Sequence, residues 1–249
     1  VIKLKAAGLL FIVAASIFLG GNWYYQSNQP KEAVSGPALS IVDIIRDIHV
    51  FKGSVKISTI GSSVTAGAGV SHVDKSWSSM LRDDLTKLDG RMKITLTNNG
   101  YSGYSTEQVK NKVGAVITQK PDVVIFETCL INDFGQALPI EKTLGNISTI
   151  VETFRKELPD VIIIVMTPNP RVDVGPNSQG LDFEDYVKKT REFVTEKGWL
   201  FIDIYEGFKA HNADLKVVLN KDGVHPTEAG YKMWFEIMKD EFTKKTIIK

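Results

Sequence analysis

The sequence predicts an α/β fold, a sandwich built on a five-stranded parallel sheet. Three observations predict it. Strand-like runs alternate with segments of helical spacing along most of the chain. Two of the runs, residues 122–126 and 161–166, are almost wholly apolar, as strands covered on both faces are. Each pair of successive strands is separated by a helical segment, the pattern of right-handed crossovers in a parallel sheet.

The elements follow in order. Ile41, Ile44, Ile45 and Ile48 share one face of a helix over residues 41–51. Residues 55–60 form the first strand and 76–88 a helix. Residues 93–97 are the second strand, followed by a helix over 106–119. The apolar run 122–126 is the third strand, 140–158 a helix, and 161–166 the fourth strand. A helix over 183–197 leads to the fifth strand at 200–204. The last helix begins after Pro226, with Tyr231, Trp234, Phe235, Met238 and Phe242 on its buried face. Trp77 and Trp234 are expected in the core. Two longer irregular stretches, residues 168–180 and 208–226, remain, and such loops are often functional.

Ahead of this domain, assigned to residues 41–249, the chain has a different character. Lys3 and Lys5 precede an uncharged run from Ala6 to Gly21, and Trp23, Tyr24 and Tyr25 follow it. Apolar length, flanking charge and interfacial aromatics together predict a membrane segment over residues 1–25, an uncleaved anchor in preference to a signal peptide. The lysines before the run predict that the rest of the chain faces outward, an extracytoplasmic location. Residues 26–40, with Pro30, Ser35, Gly36 and Pro37, have linker composition.

Charge excludes one class of partner. The net charge is +1, and without Lys3 and Lys5 the 30 basic residues become 28 against 29 acidic ones. No basic excess supports nucleic-acid binding. A lone cysteine, Cys129, rules out an internal disulfide and a multi-cysteine zinc site, and it is expected as a small buried residue. His49, His72 and His211 lack carboxylates or cysteines at ligand spacing, so neither a metal nor another cofactor is implied.

Ligands of a parallel sheet bind beyond the carboxyl ends of its strands. There the sequence places Gly61-Ser62-Ser63-Val64-Thr65-Ala66-Gly67, Asn98-Asn99-Gly100-Tyr101-Ser102-Gly103 and Glu127-Thr128-Cys129-Leu130-Ile131-Asn132-Asp133. Ahead of the last helix comes Asp222-Gly223-Val224-His225-Pro226. A serine nucleophile needs a base, and His225 can serve. The imidazole needs a carboxylate to fix its tautomer, and Asp222 is three residues away. A developing oxyanion needs donors, which the Gly100 N–H and the Asn132 amide can supply. Ser62 is the rival hydroxyl, and Thr65 two residues after Ser63 sets the register. Asn169, Arg171 and Asp173 lie in the loop after the fourth strand, where contact with substrate is one reading and a solvated loop the favoured one.

In these segments the chain resembles the SGNH (GDSL-like) hydrolase family. Residues 61–67 resemble its first block, Gly-Asp-Ser-x-Thr, with Ser63 at the nucleophile position. Asn99-Gly100 resembles the second block, Asn132-Asp133 the end of the third, and Asp222-x-x-His225 the fifth. The resemblance spans residues 55 to 242 in the family's order. It implies a three-layer α/β/α sandwich of flavodoxin-like type. It also implies a Ser63, Asp222 and His225 triad, with an oxyanion hole from Ser63 N–H, Gly100 N–H and the Asn132 side chain. Two positions depart from the pattern. Ser62 replaces an Asp that braces the loop, which weakens a structural contact. Leu130 replaces a Gly, and either narrows the acyl site or turns into the core.

The resemblance implies an esterase acting through an acyl-serine on a small-molecule, lipid or glycan ester, and Leu130, if it crowds the site, favours a short acyl group such as O-acetyl. Two alternatives stand beside it. One is an O-acyltransferase acting on cell-envelope glycans, and the other an inactive, membrane-tethered glycan-binding domain.

Overall fold

The computed structural model describes residues 38–90 and 92–244. The expected anchor (residues 1–25) and most of the expected linker lie outside the described residues. Among the described residues, no helix is long and apolar enough to cross a membrane.

Five parallel strands form the sheet: β1 (Val55–Gly61), β2 (Ile94–Gly100), β3 (Val123–Glu127), β4 (Ile162–Met166) and β5 (Leu200–Ile202). Their order is β2-β1-β3-β4-β5. That order places a topological switch between β1 and β3, where doubly wound folds bind ligands. Every residue of β3 is buried, which explains its unbroken apolar run. β2 is an edge strand in which every residue is exposed or half-buried, and its first four residues, Ile94-Thr95-Leu96-Thr97, alternate accordingly.

Helices cover both faces. On one side lie α1 (Ile41–Lys52), α3 (Trp77–Lys87) and α11 (Glu228–Thr243), packed on one another. On the other lie α4 (Thr106–Val109), α5 (Val113–Thr118), α7 (Ile140–Glu157) and α8 (Phe183–Glu196). The predicted three-layer α/β/α sandwich is the fold observed. Short helices fill the connections: α2 (Ser63–Ala66), α6 (Leu130–Gly135), α9 (Ile204–Ala210) and α10 (Leu215–Val218).

Local differences from the sequence expectation have local causes. Ser40, placed in the linker by composition, caps α1. Its Oγ accepts the Asp43 N–H at 3.1 Å, while Asp43 accepts the Ser40 N–H at 2.9 Å. The helix expected over residues 106–119 is broken at Lys110–Lys112 by a tighter 3₁₀ turn. The fifth strand ends at Ile202 because Asp203 caps α9, accepting the Glu206 N–H at 3.1 Å.

The core also holds the turn after β1. Trp77 and Trp234 stack with centroids 5.7 Å apart and planes 6° apart. Trp77 Nε1 donates to Val64 O at 3.2 Å, and the Tyr231 hydroxyl donates to Ala68 O at 2.7 Å. The two helices of one layer thus anchor both ends of α2.

Candidate active site

Ser63 opens α2, immediately beyond β1. Its Oγ lies 2.9 Å from His225 Nε2. His225 Nδ1 lies 2.8 Å from Asp222 Oδ2. The other carboxylate oxygen of Asp222 accepts the backbone N–H groups of Val224 at 2.9 Å and His225 at 3.0 Å. Burial alone would raise the Asp222 pKa, but the hydrogen bonds from the His225 ring and the two N–H groups outweigh it and hold the carboxyl below its ordinary value. The carboxylate therefore stays ionised beside the ring and keeps the Nδ1 proton toward itself. That leaves Nε2 facing Ser63 as the acceptor.

The turn that carries Asp222 and His225 is closed by Asn220. Its backbone N–H donates to His225 O at 2.8 Å, and its side chain donates to Gly69 O at 3.1 Å and Pro226 O at 2.9 Å. Asn169 braces the same turn from the far side, donating Nδ2 to Val224 O at 2.9 Å. The sequence suggests a solvated loop for Asn169, whereas it is fully buried. Its position one residue from two prolines presses it against the turn, a tertiary contact with no local signal.

A buried acid organises the turn that carries Ser63. Glu127, the last residue of β3, accepts the Ser62 N–H and the Ser62 hydroxyl with Oε2, each at 2.7 Å. Thr65 Oγ1 reaches the same oxygen at 3.2 Å, and the Cys129 N–H donates to Oε1 at 2.7 Å. Burial raises the Glu127 pKa, and these donors oppose the rise. The expected weakening at Ser62 is thus offset: the bracing acid is on β3 and Ser62 is its partner.

The expected oxyanion donors separate into two groups. Ser63 N–H, at the first position of α2, has no hydrogen-bond acceptor among the described residues. Asn132 lies on α6 and donates Nδ2 to Tyr104 O at 2.9 Å, which puts its amide at the turn following β2. Gly100 has another task. Its N–H donates to Asn98 Oδ1 at 2.9 Å, so this donor is occupied. A Cβ at Gly100 would lie 2.1 Å from Ala66 N, so glycine is required there for β2 to approach α2. Gly103, in the same turn, has a φ of 77° and no acceptor for its N–H among the described residues. Its carbonyl accepts Gln136 Nε2 at 3.1 Å, which ties it to the residue after α6. In the sequence, a second glycine within three residues of Gly100 marks this turn without singling out Gly103 as a donor.

The remaining candidates resolve by burial. Leu130 is fully buried in the core and does not line an acyl site. Cys129 is buried at a φ of 56°, and burial, then the charges of Glu127 and Asp133, push its thiol well above the ordinary range. It is not a nucleophile. Asp133 is buried too, accepting the Thr106 N–H at 2.7 Å, the Thr106 hydroxyl at 2.6 Å and the Thr143 hydroxyl at 2.7 Å. It joins α6 to the start of α4 and so fixes Asn132 against the turn at Gly103.

A hydroxyl held by an imidazole, with the imidazole oriented by a carboxylate and unengaged N–H donors nearby, is an arrangement that can attack an acyl carbon. Comparison with known proteins gives the family. Residues 59–233, more than half of the chain, match the profile of the GDSL-like lipase/acylhydrolase family. No curated protein matches the sequence. Among solved structures, a member of the lipolytic protein G-D-S-L family from Veillonella parvula is similar, with a TM-score of 0.61 and 18% identity over 76% of this chain and 98% of that one. The acetyl xylan esterase AlAXEase is similar with a TM-score of 0.62 and 20% identity, over 75% of this chain and 98% of that one. The psychrotrophic esterase EstA from Pseudoalteromonas is similar with a TM-score of 0.60 and 16% identity, over 76% of this chain and 96% of that one. At these identities the structural likeness is one of fold.

Proposed function

Because this chain belongs to the GDSL-like lipase/acylhydrolase family and is a hydrolase, we propose that it is a serine esterase with Ser63 as nucleophile, His225 as general base and acid, and Asp222 as the orienting carboxylate. The observation that carries this reading is the continuous line from Ser63 Oγ through the imidazole to Asp222, at 2.9 Å and 2.8 Å.

Ser63 Oγ attacks the ester carbonyl carbon while its proton passes to His225 Nε2. The carbonyl oxygen, now an oxyanion, is held by Ser63 N–H, Asn132 Nδ2 and the free N–H of Gly103, in place of Gly100. The intermediate collapses as the C–O bond to the alcohol breaks, and His225 gives its proton to the departing oxygen. Water then attacks the acyl-serine, giving a proton to the same nitrogen. Collapse releases the acid and returns the proton to Ser63.

Because Leu130 faces the core, the size of the acyl group does not follow from it. The fold shared with an acetyl xylan esterase supports O-acetyl esters of glycans as the first substrates to assay. The N-terminal sequence pattern supports a tethered, extracytoplasmic enzyme acting at the cell envelope.

Ser63→Ala is the test. It is expected to remove p-nitrophenyl acetate turnover and fluorophosphonate labelling while leaving the thermal unfolding transition in place. Turnover that survives in a folded Ser63→Ala protein would overturn the assignment.

A further inference from the structure

Arg171 sits between the two halves of the site. Its neighbour Val172 donates its N–H to Gly223 O at 2.8 Å, within the turn that carries Asp222 and His225. Asn169, two residues earlier, is bonded to Val224 of that turn. On the other side, the guanidinium lies over the ring of Phe134, 4.9 Å from its centroid. Phe134 is two residues beyond Asn132 on α6. The loop backbone and the aromatic face thus hold one cation at the junction of the base and the oxyanion helix.

That cation lacks a carboxylate partner among the described residues. A guanidinium carries five N–H donors. Among the described residues, the hydrogen bond that Arg171 makes is a long one, Nε to Val172 O at 3.4 Å. Arg46, Arg82, Arg155 and Arg191 each pair with a carboxylate, and Arg171 has no ion-pair partner among the described residues. Asp173, the nearest acid in sequence, instead accepts the Gly175 N–H at 2.8 Å and closes its own turn. The group is also partly dehydrated: burial lowers its pKa from the ordinary arginine value, with Asp173 acting in the opposite sense. The cation–π contact with Phe134 holds the guanidinium in place but uses none of its donors.

We propose that Arg171 is a specificity residue, receiving an anionic oxygen group of the substrate, a carboxylate or a phosphate, beside the ester that Ser63 attacks. The planar fork matches either group in a two-bond geometry. The substrate class is then an acyl ester of an acidic alcohol, such as an acidic sugar. This inference rests on the esterase reading of Ser63.

The experiment uses the full chain and matched acetate esters: acetylated methyl glucuronoside against acetylated methyl glucoside, and acetyl glycerol phosphate against acetyl glycerol. Wild-type protein is expected to hydrolyse at least one anionic ester with kcat/KM at least tenfold above its neutral match, mainly through KM. Arg171→Gln should bring that ratio close to one, and Arg171→Lys should leave it between the two. Whichever anionic ester is preferred identifies carboxylate or phosphate as the source. Equal ratios for the wild type, or an Arg171→Gln protein that loses both members of a pair in proportion, would overturn the proposal. Because the wild-type ratio is read without any variant, a misfolded substitution does not shield it. Loss of the esterase reading itself would show separately, as turnover persisting in Ser63→Ala.

Discussion

One oxygen of Glu127 receives both the N–H and the hydroxyl of Ser62, each at 2.7 Å, one residue from the proposed nucleophile Ser63. The carboxylate reaches this turn from β3, the strand paired directly with β1, which leads into the serine. With Thr65 and Cys129 as its further donors, it binds the ends of β1 and β3 into one rigid floor beneath Ser63. A buried carboxylate with four donors tolerates little change, because each lost acceptor leaves a donor unpaired.

Glu127→Gln keeps the shape but turns an acceptor into a donor facing other donors. It is expected to cost about 1–3 kcal/mol of stability in urea unfolding. Displacement of the Ser63 turn should lower kcat roughly 10- to 100-fold. Ser62→Asp alone puts a second carboxylate against a buried one and should destabilise further. The double variant Ser62→Asp/Glu127→Gln restores one acid and one partner. It should recover part of the loss, with a coupling on the order of 1 kcal/mol or more. Additive effects in that cycle would show that the two side chains do not act as a pair.

This pair also marks the limit of what the sequence could tell. The strands were legible because β3 is apolar up to Glu127 and β4 throughout, and the longer helices because α1 and α11 repeat their apolar residues at helical spacing. The order Ser63, Asn132, Asp222, His225 was legible because each follows a strand or precedes the last helix. What was hidden depends on partners distant in the chain. Ser62 looked like a lost brace because its acid lies 65 residues away. Gly100 looked like an oxyanion donor because glycine there has two possible reasons, and the closeness of Ala66 was the one that applied. Asn169 looked solvated because loop composition does not reveal the turn it is pressed against. The four-residue helix α2 is too short to show any period.

Asp133 makes stability depend on pH in an identifiable direction. Burial, opposed by its bonds to Thr106 and Thr143 and reinforced by Glu127, raises its pKa from 3.8 to about 6. The folded value is above the unfolded one, so the folded protein binds the proton more tightly. The stabilisation is complete below the unfolded value and is lost as pH rises through about 6. The loss amounts to on the order of 3 kcal/mol by pH 7. Asp133→Asn removes the titration. The stability of wild type relative to Asp133→Asn, from urea unfolding at a series of pH values, should therefore fall between pH 4 and 7. A difference that stays constant over this range would mean that the carboxyl titrates normally.

Asn98 and Asn132 meet the turn after β2 from opposite sides and should fail differently. Asn98 Oδ1 accepts the Gly100 N–H at 2.9 Å, while its Nδ2 donates to Thr65 O at 2.7 Å and to Ser78 Oγ at 3.1 Å. It ties β2 to α2 and α3, a structural task. Asn98→Ala is expected to cost about 1–3 kcal/mol in unfolding, through the donors and acceptors it leaves unpaired. Its kcat should fall by less than about tenfold, because none of its bonds is made to the reacting group. Asn132 Nδ2, by contrast, is assigned to the oxyanion. Asn132→Ala should lower kcat by roughly 10²–10³ with KM little changed, the mark of an interaction made in the transition state. The two variants also decide between the glycines. If Gly100 were the oxyanion donor, freeing its N–H by Asn98→Ala would raise kcat in the folded fraction. With Gly103 in that role, the freed N–H is idle and kcat does not rise.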